Sequence, residues 1–189
     1  MAIIVVGGSS RGAGKTALVC GLIAGLREFR WAAVKITTDE HGLAKPIWEE
    51  TTAGQGTDTA RYLAAGAARA LLATPPMRAG MPGPDFAALL DEIWTKVGLG
   101  ADVIFESNSI VNYLRADVCL AVQGGQDQAP SKASFRQVVQ HADAMVAHAE
   151  ADKMLGGSGN AKPIFHLAAL ERISPEMVMW LKRRLDSRR

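Results

Sequence analysis

Short apolar runs and amphipathic stretches alternate along the chain. Residues 3–6, Ile-Ile-Val-Val, form a buried-strand run that empties into glycines and serines. Over residues 14–28, Leu18, Val19, Leu22, Ile23 and Leu26 recur at helical spacing and predict a helix with its apolar face on a sheet. Residues 31–36 predict a second strand, closed by the polar cluster Thr37, Thr38, Asp39, Glu40 and His41. Residues 42–57 contain Pro46, Gly54 and Gly56 with little periodicity, so a loop is expected. Asp58 reads first as the N-cap of a helix over 58–65, with Arg61 and Tyr62 exposed or half exposed.

The alternation continues. A third strand is predicted over 68–73, before Pro75 and Pro76, and a helix over 85–97 from Phe86, Leu89, Leu90 and Ile93. Residues 101–106 are an apolar strand ending in a carboxylate, and 118–122 are another, followed by a turn at Gly124 and Gly125. A helix over 131–141 and strands over 144–147 and 163–167 come next. Ser174, as a cap, and Pro175, at the first helical position, open the last helix, with Met177, Val178, Leu181 and Leu185 as its buried stripe. Strands alternating with helices predict an α/β fold of three layers around a mainly parallel sheet of about seven strands. One domain over 1–189 is expected, long enough for a proper core.

Composition narrows the function classes. A net charge of +2 argues against a nucleic-acid surface as the main business. The basic tail of Lys182, Arg183, Arg184, Arg188 and Arg189 reads as the solvated end of a helix whose dipole it complements. Cys20 and Cys119 stand alone without metal-like spacing and are expected to be buried small hydrophobes in a reducing compartment. No basic leader precedes Ile3, and no run approaches the roughly 18 apolar residues that span a bilayer. A cytoplasmic protein with no membrane partner is expected.

The chemistry concentrates at residues 3–16. A strand, a Gly/Ser-rich turn ending in Gly14-Lys15-Thr16, and an immediate helix are the layout of a P-loop. Glycines let successive N–H groups form an anion-binding nest, and the following helix aims its positive end at the same point. Ser10, Arg11, Gly12, Ala13, Gly14, Lys15, Thr16 and Ala17 are therefore the expected phosphate-binding residues. Lys15 would reach the terminal phosphates, and Thr16 would ligate Mg²⁺. Counted back from Lys15, the first glycine of G-x-x-x-x-G-K-[ST] falls on Ser9, with Gly7 and Gly8 just before it.

Glu106, at the end of its apolar strand, is the second candidate. P-loop NTPases place an acidic residue there to hold Mg²⁺ directly or through water; the alternative is a solvent-facing strand-end carboxylate. Ser107 and Asn108 follow it and are candidates for contact with phosphate or with an attacking nucleophile, whereas Asp102, at the other end of the strand, is expected to be structural. Asp39 is the third candidate catalytic group, to bind Mg²⁺ or orient water, against the alternative of an ordinary loop cluster. Lys35 sits one residue inside the end of its strand, within reach of the site, and a phosphate-side role for Asp58 comes second to capping. His141, His148 and His166 are expected to be structural. There is no N-K-x-D motif, so GTP and ATP both remain open as the ligand.

Three segments together resemble the MobB family, GTP-binding adaptor proteins of molybdopterin-guanine dinucleotide biosynthesis. The family's opening loop corresponds to Gly7 through Thr16, its second-strand end to Val34-Lys35-Ile36-Thr37-Thr38-Asp39, and its G-K-D-S…A-G-A segment to Gly56-Thr57-Asp58-Thr59 and Ala65-Gly66-Ala67. The likeness is traceable through Glu106. Beyond it, Ser107-Asn108-Ser109 replaces the family's Gly-Phe-Lys, and Ile36 and Thr37 stand where the family has histidine. The resemblance implies a weak Mg²⁺-dependent GTPase serving molybdenum-cofactor biosynthesis, with a partner protein of that process and a possible homodimer. Two other classes stay open: an ATP-dependent small-molecule kinase or ligase, and a non-catalytic nucleotide-switched binding module.

Overall fold

The fold is described from a computed structural model covering residues 1–37, 46–77, 83–124, 133–149 and 162–187. Its centre is an eight-stranded sheet in the order β3-β4-β2-β5-β1-β6-β7-β8. The strands are β1 (Ile3–Gly8), β2 (Trp31–Ile36), β3 (Ile47–Glu50), β4 (Arg69–Ala73), β5 (Asp102–Glu106), β6 (Val118–Gln123), β7 (Ala144–His148) and β8 (Ile164–Leu167). The helices are α1 (Lys15–Gly25), α2 (Asp58–Ala64), α3 (Phe86–Val97), α4 (Ala133–His141) and α5 (Pro175–Asp186). All pairings are parallel except β3 with β4.

The pleat sorts side chains to the two faces of the sheet. On β1, Ile4 and Val6 join the core beneath α1, α2 and α5. Ile3 and Val5 point the other way, into the core beneath α3 and α4. The three-layer α/β architecture expected from the sequence is the one observed.

The sheet holds eight strands where about seven were expected, and the added one corrects the loop expected over 42–57. β3 lies inside the stretch expected to be loop, where Pro46 and two glycines hide a four-residue alternation. Ile47 is buried while Trp48 is exposed. Arg69 of β4 grips Glu49 with two bonds of 2.7 Å, fixing this antiparallel edge.

α1 ends at Gly25 rather than near Glu28, because Leu26 leaves helical geometry. The indole N–H of Trp31 then donates to the Leu26 carbonyl at 3.0 Å. The cap of α2 is Thr57, whose hydroxyl accepts from the Ala60 N–H at 3.1 Å, and not Asp58. Asp58 is the first helical residue, and its carboxylate is turned to Lys35. Tyr62 is likewise not exposed but fully buried, because α2 lays this position against the core.

At the amino ends of the strands, aspartates tie neighbours together. Asp102 accepts from the Ala2 N–H at 2.8 Å, Asp117 from the Ile3 N–H at 2.8 Å, and Asp143 from the Cys119 N–H at 2.9 Å. Both cysteines are free and buried. Burial pushes the Cys20 thiol up to about 11 and the Cys119 thiol up to about 12.

Candidate functional site

β1 lies between β5 and β6, so the loop after it opens at the middle of the carboxyl edge of the sheet. In open α/β sheets, ligands gather at that edge. The loop bends at Gly12 and Gly14, both left-handed at φ of 85° and 93°. Gly14 is also close-packed, since a Cβ there would lie 2.1 Å from Leu170 Cδ1.

Ser9, in the place of the motif's first glycine, has a function that glycine cannot supply. Its hydroxyl accepts from the Gly124 N–H at 2.9 Å, and its own N–H donates to the Val122 carbonyl at 3.0 Å. Asn108 clamps the loop's other flank. Its Oδ1 accepts from the Gly8 N–H at 2.8 Å while its Nδ2 donates to the Gly8 carbonyl at 2.9 Å. Lys15 leaves the first turn of α1 and folds back, donating to the Ser10 carbonyl at 3.1 Å. Arg11 lines the cleft at the exposed tip of the loop.

Under the loop sits a buried polar cluster. Glu106 ends β5 with only 4% of its surface exposed. The Thr16 hydroxyl donates to Glu106 Oε2 at 2.7 Å, and the Tyr62 phenol donates to the same oxygen. Lys35 places its ammonium 3.4 Å from Glu106 Oε1 and donates to Asp58 as well. Arg61 extends the cluster outward, 3.9 Å from Asp58 and 3.7 Å from Glu171.

Burial alone would pull the Lys35 ammonium down, but Glu106 and Asp58 outweigh it and hold it above the usual lysine value. Burial would raise Asp58, yet the Lys35 bond and charge hold it below the ordinary carboxylate range. Burial first, then the Glu106 charge, pushes the Tyr62 phenol well up.

A cleft of about 780 Å³ runs from the phosphate loop across Lys35 and Asp58 to Phe86 and Ser134. Thr16 and Glu106 present hard oxygens side by side, a donor set suited to Mg²⁺. No group of three or more His, Cys, Asp or Glu side chains converges among the described residues.

Of the expected residues, Ser10, Arg11, Lys15, Lys35, Glu106, Ser107 and Asn108 line one cleft, and Thr16 bonds to Glu106 beside it; Gly12, Ala13, Gly14 and Ala17 do not line it. Asp39, with Thr38, Glu40 and His41, lies outside the described residues. Asp102 is at the opposite end of the sheet, in its structural bond to Ala2. His141 contacts the Gln137 carbonyl at 2.9 Å on α4, and neither it, His148 nor His166 lines the cleft. Sequence reasoning missed Tyr62 as part of the cluster. The available signal was its position four residues after Asp58, one helical turn along the same face.

A central parallel strand, a glycine-bent loop running into a helix, and a carboxylate under the loop are the layout of a P-loop NTPase fold. A solved MobB protein homolog from Bacillus stearothermophilus is similar in structure, with a TM-score of 0.51 and 19% identity over 99% of each chain. LpxK from Aquifex aeolicus, solved in an "apo" form in complex with ATP, is similar over 87% of this chain with a TM-score of 0.54 and 16% identity. This chain spans about half, 53%, of the LpxK chain. No protein-family model matches the sequence, and no curated protein sequence matches it. The fold is therefore MobB-like, within the P-loop NTPase architecture. Among the described residues, no helix is long and apolar enough to cross a membrane.

Proposed function

We propose that this protein binds a nucleoside triphosphate, GTP in preference to ATP, and hydrolyses it slowly with Mg²⁺ in a MobB-like role in molybdenum-cofactor biosynthesis. The observation that carries the phosphate end is the Thr16–Glu106 bond of 2.7 Å directly beneath the glycine-bent loop. In this reading, the N–H groups of residues 12–15 cradle the phosphates, and Lys15 swings from Ser10 to the terminal phosphate oxygens. Thr16 and Glu106 hold the Mg²⁺, directly or through water, and bound Mg²⁺ supplies charge neutralisation at the phosphate oxygens. Asp39, from the segment after β2, orients the attacking water. Among the described residues, Arg11 on the loop tip is a candidate for added positive charge at the transition state, and Arg61, which also lines the cleft, is paired with Asp58 and Glu171; slow intrinsic turnover is expected on this reading. The guanine preference and the cofactor pathway rest on the resemblance of residues 7–106 to the MobB family.

The breadth of the cleft favours a second reading, an ATP-dependent kinase or ligase with its acceptor held beside Lys35 and Ser107-Asn108. The likeness to LpxK, solved with ATP, supports the same alternative. Titration of labelled GTP and ATP, with and without Mg²⁺, separates the two. GTP preference with slow hydrolysis supports the first reading, and ATP preference with turnover only on addition of an acceptor supports the second. Tight binding with no turnover would leave a nucleotide-switched binding module.

A further inference from the structure

Glu106 is a buried carboxylate, and burying a charge is costly unless its oxygens are engaged. Three groups engage it. Thr16 and Tyr62 both donate to Oε2, whereas Lys35 faces Oε1. Tyr62 is fully buried on α2, so the only polar atom of this core side chain is committed to the carboxylate.

The pull on Glu106 is two-sided. Lys35 is a charged donor on the β2 side, and charge-assisted bonds are about twice as strong as neutral ones. The neutral Thr16 hydroxyl opposes it weakly. A second carboxylate stands in the same cluster, since Lys35 joins Asp58 to Glu106. A hydroxyl carries one proton and two lone pairs. Whichever carboxylate takes the Thr16 proton therefore decides where the lone pairs face.

We propose that Tyr62 is a positioning residue for the phosphate end of the cleft. Its phenol fixes Glu106 Oε2 beside Thr16, so the Thr16 proton goes to Glu106 and the lone pairs face a cation. This rests on the reading of the loop as a Mg²⁺–triphosphate site. It concerns the orientation of Thr16, not the cradling of phosphates by the loop backbone. Tyr62→Phe keeps the ring and its burial but removes the donor. Glu106 then follows Lys35, and Thr16 loses its fixed acceptor.

Two measurements on the full chain test this. In nucleotide-free protein, proton NMR should show a hydroxyl resonance protected from solvent exchange that disappears in Tyr62→Phe. Thr16→Ala should shift it, because both donors share one oxygen. Absence of that resonance in the wild type, or its indifference to Thr16→Ala, overturns the proposal. In the second measurement, Mn²⁺ is titrated by electron paramagnetic resonance with GTP or ATP present. Tyr62→Phe should weaken Mn²⁺ binding about tenfold, the scale typical of losing a partner that orients a metal ligand. Nucleotide affinity in a chelator should be unchanged, and Tyr62→Phe should add nothing in a Thr16→Ala background.

Equal losses with and without metal, or additive effects of the two substitutions, would mean that Tyr62 only supports the fold. If Tyr62→Phe does not fold, the Thr16→Ala shift of the hydroxyl resonance decides the matter. If the wild type binds no triphosphate, the proposed function fails, and the hydroxyl resonance alone decides the role of Tyr62.

Discussion

Lys35 and Asp58 face each other across the mouth of the cleft, one from the end of β2 and the other from the first turn of α2. The ammonium donates to the Asp58 carboxylate and lies 3.4 Å from Glu106, so one cation serves two acids. The folded pKa of Asp58 is depressed, so its contribution to stability is present above the unfolded value of about 3.9. That contribution is lost as the pH falls through the depressed folded value. Lys35 is raised, so its contribution holds below about pH 10.4 and is lost as the pH climbs through its folded value. Urea unfolding of wild type and Asp58→Asn should therefore differ most near neutral pH, and the difference should shrink below pH ~4. A constant difference down to pH ~2 would contradict the depressed Asp58.

Lys15→Ala is expected to abolish binding or turnover of labelled GTP and ATP. The side chain donates to the Ser10 carbonyl of its own loop, so the loss should be read in nucleotide binding against a control measurement of stability by chemical denaturation. Unchanged nucleotide behaviour would sink the assignment of the loop.

Glu106→Gln should reduce hydrolysis more than nucleotide binding, because in the proposed function the loop holds the phosphates while Glu106 acts through Thr16 and the Mg²⁺. Equilibrium binding and single-turnover hydrolysis measured side by side make the comparison. Equal loss of both would show that the carboxylate serves phosphate binding itself.

Two loop glycines should respond differently to alanine. Both are left-handed, which costs a side-chain residue roughly 1–2 kcal/mol. A Cβ at Gly12 meets nothing within 4 Å, whereas at Gly14 it runs into Leu170. Gly14→Ala should therefore destabilise more than Gly12→Ala in chemical denaturation, by about 1 kcal/mol, the low end of overpacking, because Leu170 Cδ1 ends a half-buried side chain that can turn away. Leu170→Ala should recover part of the Gly14→Ala loss.

The strand–loop–helix at residues 3–16 was legible because its message is local: an apolar run, then glycines, then Lys15-Thr16. The carboxylate at Glu106 was legible for the same reason, as the end of an apolar strand. β3 was not, because the pairing that makes Ile47 and Glu49 a strand comes from Arg69 and β4, twenty residues on. Tyr62 was misread because its partner is remote. The helix that turns it inward is only seven residues long, too short for periodicity to show its buried face.

The aspartates at the amino ends of β5, β6 and β7 give the sheet two chemically different rims. At one rim, Asp102, Asp117 and Asp143 accept backbone N–H groups from adjacent strands. At the other, the acids face a lysine, two hydroxyls and the cleft. Substitutions along the first rim should lower cellular abundance while sparing activity per folded molecule. Those along the second should lower activity per folded molecule as well as whatever stability the Lys35–Asp58 pair contributes, so a deep mutational scan scoring both traits would separate the two rims.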